Sequence, residues 1–366
     1  MSKLSVAVSS LCALLGLFAC ASTPAGAGGA GGPAPQEDAS LVFAFWNVEN
    51  LFDAVDDPAN PGDDEYLPDR EWTADRYARK LDHLSSVLAA IGPHVVGFAE
   101  VENRRVLEDL CATEKLRGLG LQIAHVESPD KRGIDVALAY RAPLVLDGAD
   151  AVRLHEIDPG DNAPTRGVLE VRLAMHGHPL FVLVNHWPSR GGDRDGKFRA
   201  VAAAKVREVV DRITADEETA GRDADVLIVG DLNDDPWDAS VVQTLGAVRS
   251  RNAVLNRRQP RPLYNLSWEL LAESDKGTLY YNPEWNWNVF DQAIVSRGML
   301  DASGFQIVEG SFDIYAPDEL RDQYRRPRWF RRSRGGEWSE GYSDHFAIHG
   351  RMLPPAPPTT AAGAGR

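Results

Sequence analysis

Short apolar runs recur along the chain and alternate with longer segments in which apolar residues have helical spacing. Apolar runs of this length, bounded by polar or turn-forming residues, are typical of buried β-strands. The runs predict strands at residues 41–46, 95–99, 134–140, 168–173, 180–185, 226–229, 289–295 and 345–352. The pattern therefore predicts a protein rich in short, buried strands.

Two longer segments predict amphipathic helices between these strands. In residues 73–91, apolar side chains recur every three or four positions, and Gly92-Pro93 ends the pattern. Residues 197–213 predict a second long helix. The alternation of strands and helices favours an α/β sandwich over a helical bundle or an all-β barrel.

Polar side chains stand at the ends of the predicted strands. They are Asn47, Glu100, His186, Asp231, Asn233, Asp291 and the tripeptide Ser343-Asp344-His345. Carboxylates, amides and imidazoles at strand ends are the groups that bind metals and move protons. Because they are scattered over nearly the whole chain, they suggest one large site that the fold assembles from distant segments. The 366 residues are long enough for two average domains, but a site of this kind requires one.

The N-terminus has the pattern of a targeting segment. Lys3 precedes an apolar stretch over residues 4–19, which ends in Leu17-Phe18-Ala19-Cys20. Residues 1–20 resemble a bacterial lipoprotein signal, in which Cys20 is lipidated and anchors an exported protein to a membrane. Phe18 is bulkier than usual at its position, so ordinary secretory cleavage nearby is the alternative. The stretch is too short to favour a stable transmembrane helix.

Both ends beyond the catalytic candidates have the composition of disordered chain. Residues 21–35 are rich in Ala, Gly and Pro and contain no charge, so 21–40 are interpreted as a flexible linker. Residues 354–366 have a similar composition and are expected to be a disordered tail.

Cys111 is the cysteine left outside the signal, which predicts no intramolecular disulfide and a small apolar side chain within a helix.

The net charge of −15 argues against a simple polyanion binder, because such proteins usually present a basic surface. One early loop concentrates acidic residues: Asp53, Asp56, Asp57, Asp63, Asp64, Glu65 and Asp69. One later segment is strongly basic and contains Arg321, Arg325, Arg326, Arg328, Arg331, Arg332 and Arg334, with Trp329 and Phe330 among them. This segment, 321–334, ends just before Ser343-Asp344-His345 and is a candidate basic rim beside the site, with contact to an acidic membrane, a partner protein or solvent as the alternatives.

Six motifs appear in an order that resembles a known superfamily. They are Trp46-Asn47-Val48-Glu49-Asn50-Leu51-Phe52-Asp53, Phe98-Ala99-Glu100-Val101-Glu102-Asn103, Asn185-His186-Trp187-Pro188-Ser189, Gly230-Asp231-Leu232-Asn233-Asp234, Phe290-Asp291-Gln292 and Ser343-Asp344-His345. The set resembles the endonuclease/exonuclease/phosphatase superfamily, whose members include deoxyribonuclease I-like nucleases, and its first motif is similar to that of bacterial predicted extracellular nucleases. The resemblance implies one catalytic domain over residues 41–353. Its expected fold is a four-layer α/β sandwich with two central, mostly antiparallel β-sheets flanked by helices.

The resemblance also implies a divalent metal, Mg²⁺ or alternatively Mn²⁺. Hydrolysis of an anionic phosphodiester requires neutralisation of its oxygens, and hard oxygen ligands suit these ions. Glu100 is expected to be the principal ligand, Asn47 to support the metal or its water, and Asp344 to complete the site.

Catalytic roles are implied for five further residues. Asp231 is expected to orient or deprotonate the attacking water, with Asn233 beside it. His345 is expected to contact a phosphate oxygen or to act as an acid/base group, with Asp291 fixing its ring. His186 is expected to be a second donor to the phosphate.

Weaker expectations concern residues at the border of the site. Arg166 begins a predicted strand and is a candidate phosphate contact, with a surface ion pair as the alternative. Asp135 is interpreted as structural. Trp187, Trp285 and Trp287 can stack on a substrate, but buried packing is the more common use of a tryptophan.

The sequence is compatible with three functions, of which two are enzymatic and one is non-catalytic. The favoured hypothesis is a metal-dependent nuclease, monomeric and exported, with a nucleic-acid substrate contacted by the Arg-rich segment. The alternative is a phosphoesterase for a lipid or small molecule, such as a sphingomyelinase-like or inositol-phosphate enzyme, which the acidic charge fits equally well. A catalytically inactive binding module is disfavoured, because every expected acidic and histidine position is filled.

Overall fold

The computed structural model describes residues 40–58, 60–158, 160, 165–256, 261–272, 277–333 and 335–357. The expected signal segment 1–20 with Cys20, residues 21–39 of the expected linker and residues 358–366 of the expected tail lie outside the described residues, as does Arg334. Among the helices of the described ranges, none is both long enough and apolar enough to cross a membrane.

The strands of the described chain are numbered in order. They are β1 (Leu41–Leu51), β2 (Val95–Val101), β3 (Gln122–His125), β4 (Asp135–Tyr140), β5 (Val145–Leu146), β6 (Val152–His155), β7 (Val168–Met175), β8 (His178–His186), β9 (Val226–Asp231), β10 (Ala247–Val248), β11 (Leu263–Asn265), β12 (Leu279–Tyr281), β13 (Asn286–Asn288), β14 (Asp291–Val295), β15 (Gln306–Ile307), β16 (Asp313–Tyr315), β17 (Phe330–Arg332), β18 (Trp338–Glu340) and β19 (Ala347–Leu353).

The helices connect these strands on the outside of the sheets. The α-helices are α1 (Ala74–Ile91), α2 (Arg104–Ala112), α3 (Lys197–Thr219) and α4 (Arg251–Leu255), and a π-helical segment covers Ser240–Leu245. Short 3₁₀ turns lie at Asp64–Tyr66, Pro68–Arg70, Arg117–Leu119, Leu266–Ala272, Gly298–Leu300 and Asp318–Leu320.

Two large sheets form the centre of the molecule. The first has the strand order β15-β19-β1-β2-β4-β3, with β16 also paired to β19, and the second has the order β10-β11-β14-β9-β8-β7-β5, with β6 paired to β7. The pairs β1–β2, β8–β9 and β10–β11 are parallel, and the other pairs of these two sheets are antiparallel. The expected two-sheet α/β architecture with mostly antiparallel pairing is confirmed.

Side-chain alternation along the strands separates four layers. In β1, Phe43 and Phe45 face the core between the sheets, whereas Ala44 and Trp46 pack with α1 and α2 on the outside. In β8, the same alternation directs Phe181 outward, toward α3. Each central strand is therefore buried on both faces, which explains why its sequence is a continuous apolar run.

The predicted helix over residues 73–91 is α1. Thr73 is its N-cap, and the Thr73 side chain accepts a hydrogen bond from the Arg76 backbone N–H. Gly92 ends the helix with a φ of 63°, and its N–H donates to the Leu88 carbonyl. Cys111 lies in α2, where it is largely buried, as predicted, and burial raises the pKa of its thiol to about 11.

Several predicted strand boundaries differ from the observed ones, and two of the differences, at β1 and β19, change how the candidate site is built. Strand β1 does not end before Asn47 but continues to Leu51, because irregular pairing lets a polar segment stay in the sheet. The last strand begins at Ala347 and not at His345, because the His345 backbone N–H donates to the Ser343 side chain. Candidate side chains thus occupy distorted or terminal positions of the sheets.

Candidate active site

Asn47 and Glu100 lie where the pairing of β1 and β2 becomes irregular. The register of β1 against β2 shifts just after Asn47, and the register of β2 against β4 shifts around Glu100. Glu49, Asn50 and Glu100 have φ angles of 53°, 55° and 63°, in the left-handed region that non-glycine residues rarely adopt. The Asn50 N–H donates a 3.1 Å hydrogen bond to Glu100 Oε2 and orients that carboxylate.

Three neighbouring strands of the second sheet place His186, Asp231 and Asp291 in one row. His186 is paired with Asp231 across β8 and β9, and Asp291 is paired with Asp231 across β9 and β14. Residues that pair directly project to the same face of a sheet. Gly230 permits this packing, because a Cβ at its position would lie 2.5 Å from the Asn185 carbonyl oxygen.

Asp231 is the point where the candidate residues of both sheets meet. Asn47 Nδ2 donates a 3.1 Å hydrogen bond to Asp231 Oδ2. The same oxygen lies 3.7 Å from His186 Nε2 and 3.7 Å from His345 Nε2. Burial and the charge of Asp291 raise the pKa of Asp231, the charge of His345 lowers it, and the net pKa is about 7.

His345 is fixed from two sides. Its Nδ1 lies 2.7 Å from Asp291 Oδ2, and its backbone N–H donates to Ser343 Oγ. Ser343 Oγ in turn donates a 2.7 Å hydrogen bond to the Asn47 carbonyl. The Ser343 hydroxyl therefore links the C-terminal motif to the first motif of the chain.

The two histidines beside Asp231 have opposite electrostatic environments. Burial lowers the pKa of His345, but the charges of Asp291 and Asp231 outweigh it, so the pKa lies well above the ordinary histidine value. Burial lowers the pKa of His186 well below that value, and Arg166 and other positive charges lower it further. The surroundings thus favour the charged form of His345 and the neutral form of His186.

Asn233 supports Asp231 from the same loop. Its backbone N–H donates a 3.0 Å hydrogen bond to Asp231 Oδ1, and its φ of 51° places this residue in the left-handed region. The Asn233 side-chain amide donates to the Trp187 carbonyl at 3.0 Å. The two motifs that contain His186 and Asp231 are thus joined directly.

The chemistry of the neighbouring carboxylates fits a divalent cation. Burial lowers the pKa of Lys80, while the charges of Glu49, Asp344 and Glu100 raise it, so the charges of these three carboxylates act on one buried ammonium group. Glu49 is buried, and its Oε1 has no hydrogen-bond partner within the described chain, with Arg331 Nε 3.5 Å away as an ion-pair partner. Carboxylate oxygens are the ligands that Mg²⁺ and Mn²⁺ prefer. Glu100 and Asp344 remain the predicted ligands, whereas the Asn47 amide is engaged with Asp231 and with the Glu49 N–H.

Arg166 is buried, so its predicted alternative role, a surface ion pair, is replaced by a buried ion pair. It is 6% exposed, and its Nη1 lies 2.9 Å from Asp130 Oδ2. Its Nη2 donates a 3.2 Å hydrogen bond to the Trp187 carbonyl. Arg166 thereby holds the loop after His186, and its contact with a phosphate stays a prediction.

The other border residues mainly pack. Asp135 accepts hydrogen bonds at both oxygens, 2.8 Å from His125 Nε2 and 2.9 Å from the Ser128 N–H. Trp187 is fully buried and Trp287 stacks on Phe346, whereas Trp285 is 74% exposed. Trp285 is thus the one of the three predicted tryptophans with a free face.

A cleft of about 370 Å³ opens directly beside His345 and Asp344. The Arg-rich segment and two aromatic residues of β12 form its walls: Arg326, Pro327, Trp329, Arg331, Tyr280 and Tyr281. The Arg326 guanidinium lies 3.7 Å from the centre of the Tyr280 ring, and Arg331 lies 4.5 Å from that of Trp329. Arg331 Nη1 also lies 3.0 Å from Asp344 Oδ2. The basic rim predicted from the sequence therefore adjoins the candidate metal ligands.

Sequence reasoning missed Glu49, Lys80 and Arg132. Lys80 Nζ donates to the carbonyls of Glu49 and Tyr342, and Arg132 Nη2 lies 2.9 Å from Asn50 Oδ1 and 3.6 Å from Glu100 Oε1. Glu49 offered a signal, since it is a charged residue inside the first motif. Arg132 offered one through its segment, residues 131–135, which precedes a predicted strand and resembles a segment that borders the site. Lys80 offered none, because its neighbours come from other parts of the chain.

Comparison with known proteins identifies the family. A model described as "Endonuclease/Exonuclease/phosphatase family" matches residues 42–352. The chain belongs to this family. Membership of the endonuclease/exonuclease/phosphatase family supports a phosphoester-hydrolysing enzyme, and enzymes of this family generally use divalent metals. No curated protein sequence matches the chain.

Solved structures of the endonuclease/exonuclease/phosphatase family share the fold at low identity. D. rerio TDP2 complexed with a single-strand DNA product has 17% identity and a TM-score of 0.51, covering 86% of this chain and 99% of its own. The human Nocturnin catalytic domain with bound sulfate has 14% identity and a TM-score of 0.53, covering 86% and 94%. A mannosyl-6-phosphatase of Bacteroides thetaiotaomicron has 17% identity and a TM-score of 0.51, covering 86% and 100%. These similarities show the fold.

Proposed function

We propose that this protein is a divalent-metal-dependent phosphodiester hydrolase that acts on nucleic acid. The observation that supports this proposal best is the convergence on Asp231 Oδ2 of Asn47, His186 and His345, which come from both sheets. An activated carboxylate flanked by one charged and one neutral imidazole is a suitable arrangement for hydrolysis of an anionic ester.

Asp231 is proposed to accept the proton of the attacking water. Its pKa of about 7 is close to neutral pH, where a general base combines an adequate ionised fraction with adequate basicity. The Asn47 amide and the Asn233 N–H each hold one of its oxygens. These two hydrogen bonds orient the carboxylate before the substrate arrives.

His345 is proposed to bind a phosphate oxygen through Nε2. Its Nδ1 is engaged with Asp291, so its protonated Nε2 is left to face the site. The positive charge suits the anionic substrate and the additional charge that develops in the transition state. His186, held neutral, donates one hydrogen bond without adding charge.

The metal is proposed to be held by Glu100 and Asp344. A bound Mg²⁺ or Mn²⁺ supplies neutralisation of the phosphate oxygens and of the leaving alkoxide. Asn47 orients Asp231 and borders these ligands.

Nucleic acid is favoured by the walls of the cleft beside His345. Guanidinium groups pair with phosphates, and exposed aromatic or guanidinium planes stack on bases. Arg326, Arg331 and Trp329 provide both kinds of contact within the same cleft. The similarity in fold to a protein solved with a single-strand DNA product agrees with this proposal.

An activity panel tests the proposal. The purified protein is assayed on plasmid DNA, single-stranded DNA, RNA, bis-p-nitrophenyl phosphate and sphingomyelin, with Mg²⁺, with Mn²⁺ and with EDTA. We expect cleavage of polynucleotide in either metal and none in EDTA. Hydrolysis of sphingomyelin alone, or cleavage that survives EDTA, would overturn the nuclease proposal.

Hydrolysis of a small phosphoester is the second candidate. The cleft volume of about 370 Å³ suits a small molecule, and the net charge of −15 disfavours long polyanions. A phosphatase for a sugar phosphate shares the fold. Release of inorganic phosphate from sugar or inositol phosphates, without polynucleotide cleavage, would establish this candidate instead.

The protein is further proposed to act outside the cytoplasm, as a monomer tethered to a membrane through lipid on Cys20. Its support is the apolar segment that ends in Leu17-Phe18-Ala19-Cys20. Cys20→Ala is expected to move the protein from the membrane fraction to the soluble fraction. Retention of the variant in membranes would refute the anchor.

A further inference from the structure

Three carboxylates of the early acidic loop come together away from the residues proposed for catalysis. Each of Asp56, Asp63 and Asp64 offers an oxygen, and these oxygens lie within 4.8 Å of one another. Asp56 and Asp64 are exposed, whereas Asp63 is 1% exposed. Two ligands on opposite sides of a Ca²⁺ ion are separated by about 4.6–5.2 Å. The separations of the three oxygens are therefore compatible with ligands of one ion of this size.

Asp63 is buried without full compensation. One oxygen, Oδ2, accepts a 2.7 Å hydrogen bond from the Asp57 N–H, but Oδ1 has no hydrogen-bond partner among the residues that the structure describes. Burial raises the pKa of Asp63, and the nearby charges of Asp56 and Asp64 raise it further. A buried carboxylate oxygen without a partner is costly, and a bound cation would remove this cost.

The loop is closely packed against the segment that borders the candidate active site. A Cβ at Gly62 would lie 1.9 Å from the Arg132 carbonyl oxygen, so the loop approaches that segment at a distance that requires glycine. The Asp53 N–H donates a 2.8 Å hydrogen bond to Glu102 Oε2. The acidic loop therefore contacts the chain both at Arg132 and at Glu102, which directly follows the strand that carries Glu100.

We infer that Asp56, Asp63 and Asp64 bind a structural calcium ion, which holds the acidic loop against the chain at Arg132. Carboxylate oxygens favour a hard cation, and the exposed positions of Asp56 and Asp64 leave room for water ligands. Ca²⁺ is favoured over Mg²⁺ because it accepts irregular coordination by a loop. This site is separate from the proposed ligands Glu100 and Asp344.

Terbium luminescence tests the site, since Tb³⁺ is a probe for calcium sites and aromatic side chains sensitise its emission. Tyr66 follows the cluster in sequence, stacks on Phe52 at 4.3 Å and contacts the edge of Trp72. The full-length protein with Glu100→Gln serves as the background, so that the proposed catalytic metal site does not contribute. We expect saturable emission that Ca²⁺ displaces and that Asp63→Asn weakens at least about tenfold.

Asp56→Asn and Asp69→Asn complete the test. Asp56 is exposed, so Asp56→Asn preserves the fold and is expected to weaken Tb³⁺ binding. Asp69 is also exposed and lies in the same acidic segment but outside the cluster, so Asp69→Asn is expected to leave Tb³⁺ binding unchanged. Ca²⁺ is expected to raise the melting temperature of the wild-type protein by several degrees and that of the Asp56→Asn variant by less. Equal Tb³⁺ affinities for the Asp56→Asn and Asp69→Asn variants, or no Ca²⁺-dependent rise in the wild type, would overturn the inference. Neither readout depends on enzymatic activity.

Discussion

Asn47 Nδ2 donates a hydrogen bond of 3.1 Å to Asp231 Oδ2 and joins the first central sheet to the second. Asn47 lies at the irregular part of β1, and Asp231 is the last residue of β9. The geometry around the proposed base therefore depends on how the two sheets pack against each other. Variants that disturb either sheet near this end are expected to affect turnover.

Asp231→Ala and His345→Ala are expected to lower kcat at least about 10²-fold and to leave the fold intact, because each removes one preorganised catalytic group. Steady-state kinetics on the true substrate and circular dichroism are the measurements. Asp150→Ala, which removes an exposed carboxylate, is the control. Near-wild-type turnover in either catalytic variant would show that the assignment is wrong.

Gly230→Ala is expected to destabilise the protein by about 1–3 kcal/mol, because the added Cβ would lie 2.5 Å from the Asn185 carbonyl oxygen. Displacement of β9 is also expected to lower kcat through Asp231. Gly118→Ala is the matched control, since nothing lies within 4 Å of a Cβ there. Urea denaturation measures the difference, and equal stability of the two variants would contradict the role given to Gly230.

Arg326→Ala is expected to lower kcat/KM for polynucleotide about 3–10-fold and to reduce its salt dependence, because one guanidinium of the cleft is lost. The loss on bis-p-nitrophenyl phosphate is expected to be smaller, since that substrate does not extend along the cleft. Arg325→Ala is the control, because Arg325 is exposed and pairs with Asp318. The prediction fails if both arginine variants lose polynucleotide activity equally.

Asp225 is expected to make stability depend on pH. Burial raises its pKa, the hydrogen bond from the Phe305 N–H to Oδ2 lowers it, and the charges of Asp301 and Asp223 raise it, so that the net pKa is about 7. Because the folded state binds the proton more tightly than the unfolded state, the contribution is favourable at low pH and is lost as pH rises from about 4 to 7.

Melting temperatures of the wild type and of Asp225→Asn between pH 5 and 8 check this expectation. The melting temperature of the wild type is expected to fall relative to that of Asp225→Asn as pH rises. Asp150→Asn makes the same change of charge at an exposed position and serves as the control. A difference between wild type and Asp225→Asn that does not change with pH would refute the effect of burial at this position.

The central strands and long helices were predictable because each is buried on a defined face. The run 226–229 is apolar throughout because β9 is covered on both sides, and α1 shows its helical period because only one side is covered. Short strands such as β12 and β17, which belong to separate two-stranded sheets, were not predicted, since they bury few side chains and depend on tertiary contacts.

The members of the site were predictable as motifs, but their relations were not. The sequence places Ser343 beside His345, yet gives no sign that the Ser343 hydroxyl reaches the Asn47 carbonyl. Likewise, the opposite pKa shifts of His186 and His345 follow from burial and from which charged groups are near, and neither property is visible in a local motif.

The row of His186, Asp231 and Asp291 occupies three hydrogen-bonded strands, so its spacing is set by the separation of strands in a sheet, about 4.8 Å. Loops of any length can connect such strands without altering that spacing. Insertions and exchanges in the surrounding loops can therefore change which phosphoester enters, while the proposed catalytic groups keep their positions. In this architecture, substrate range is able to evolve independently of the reaction.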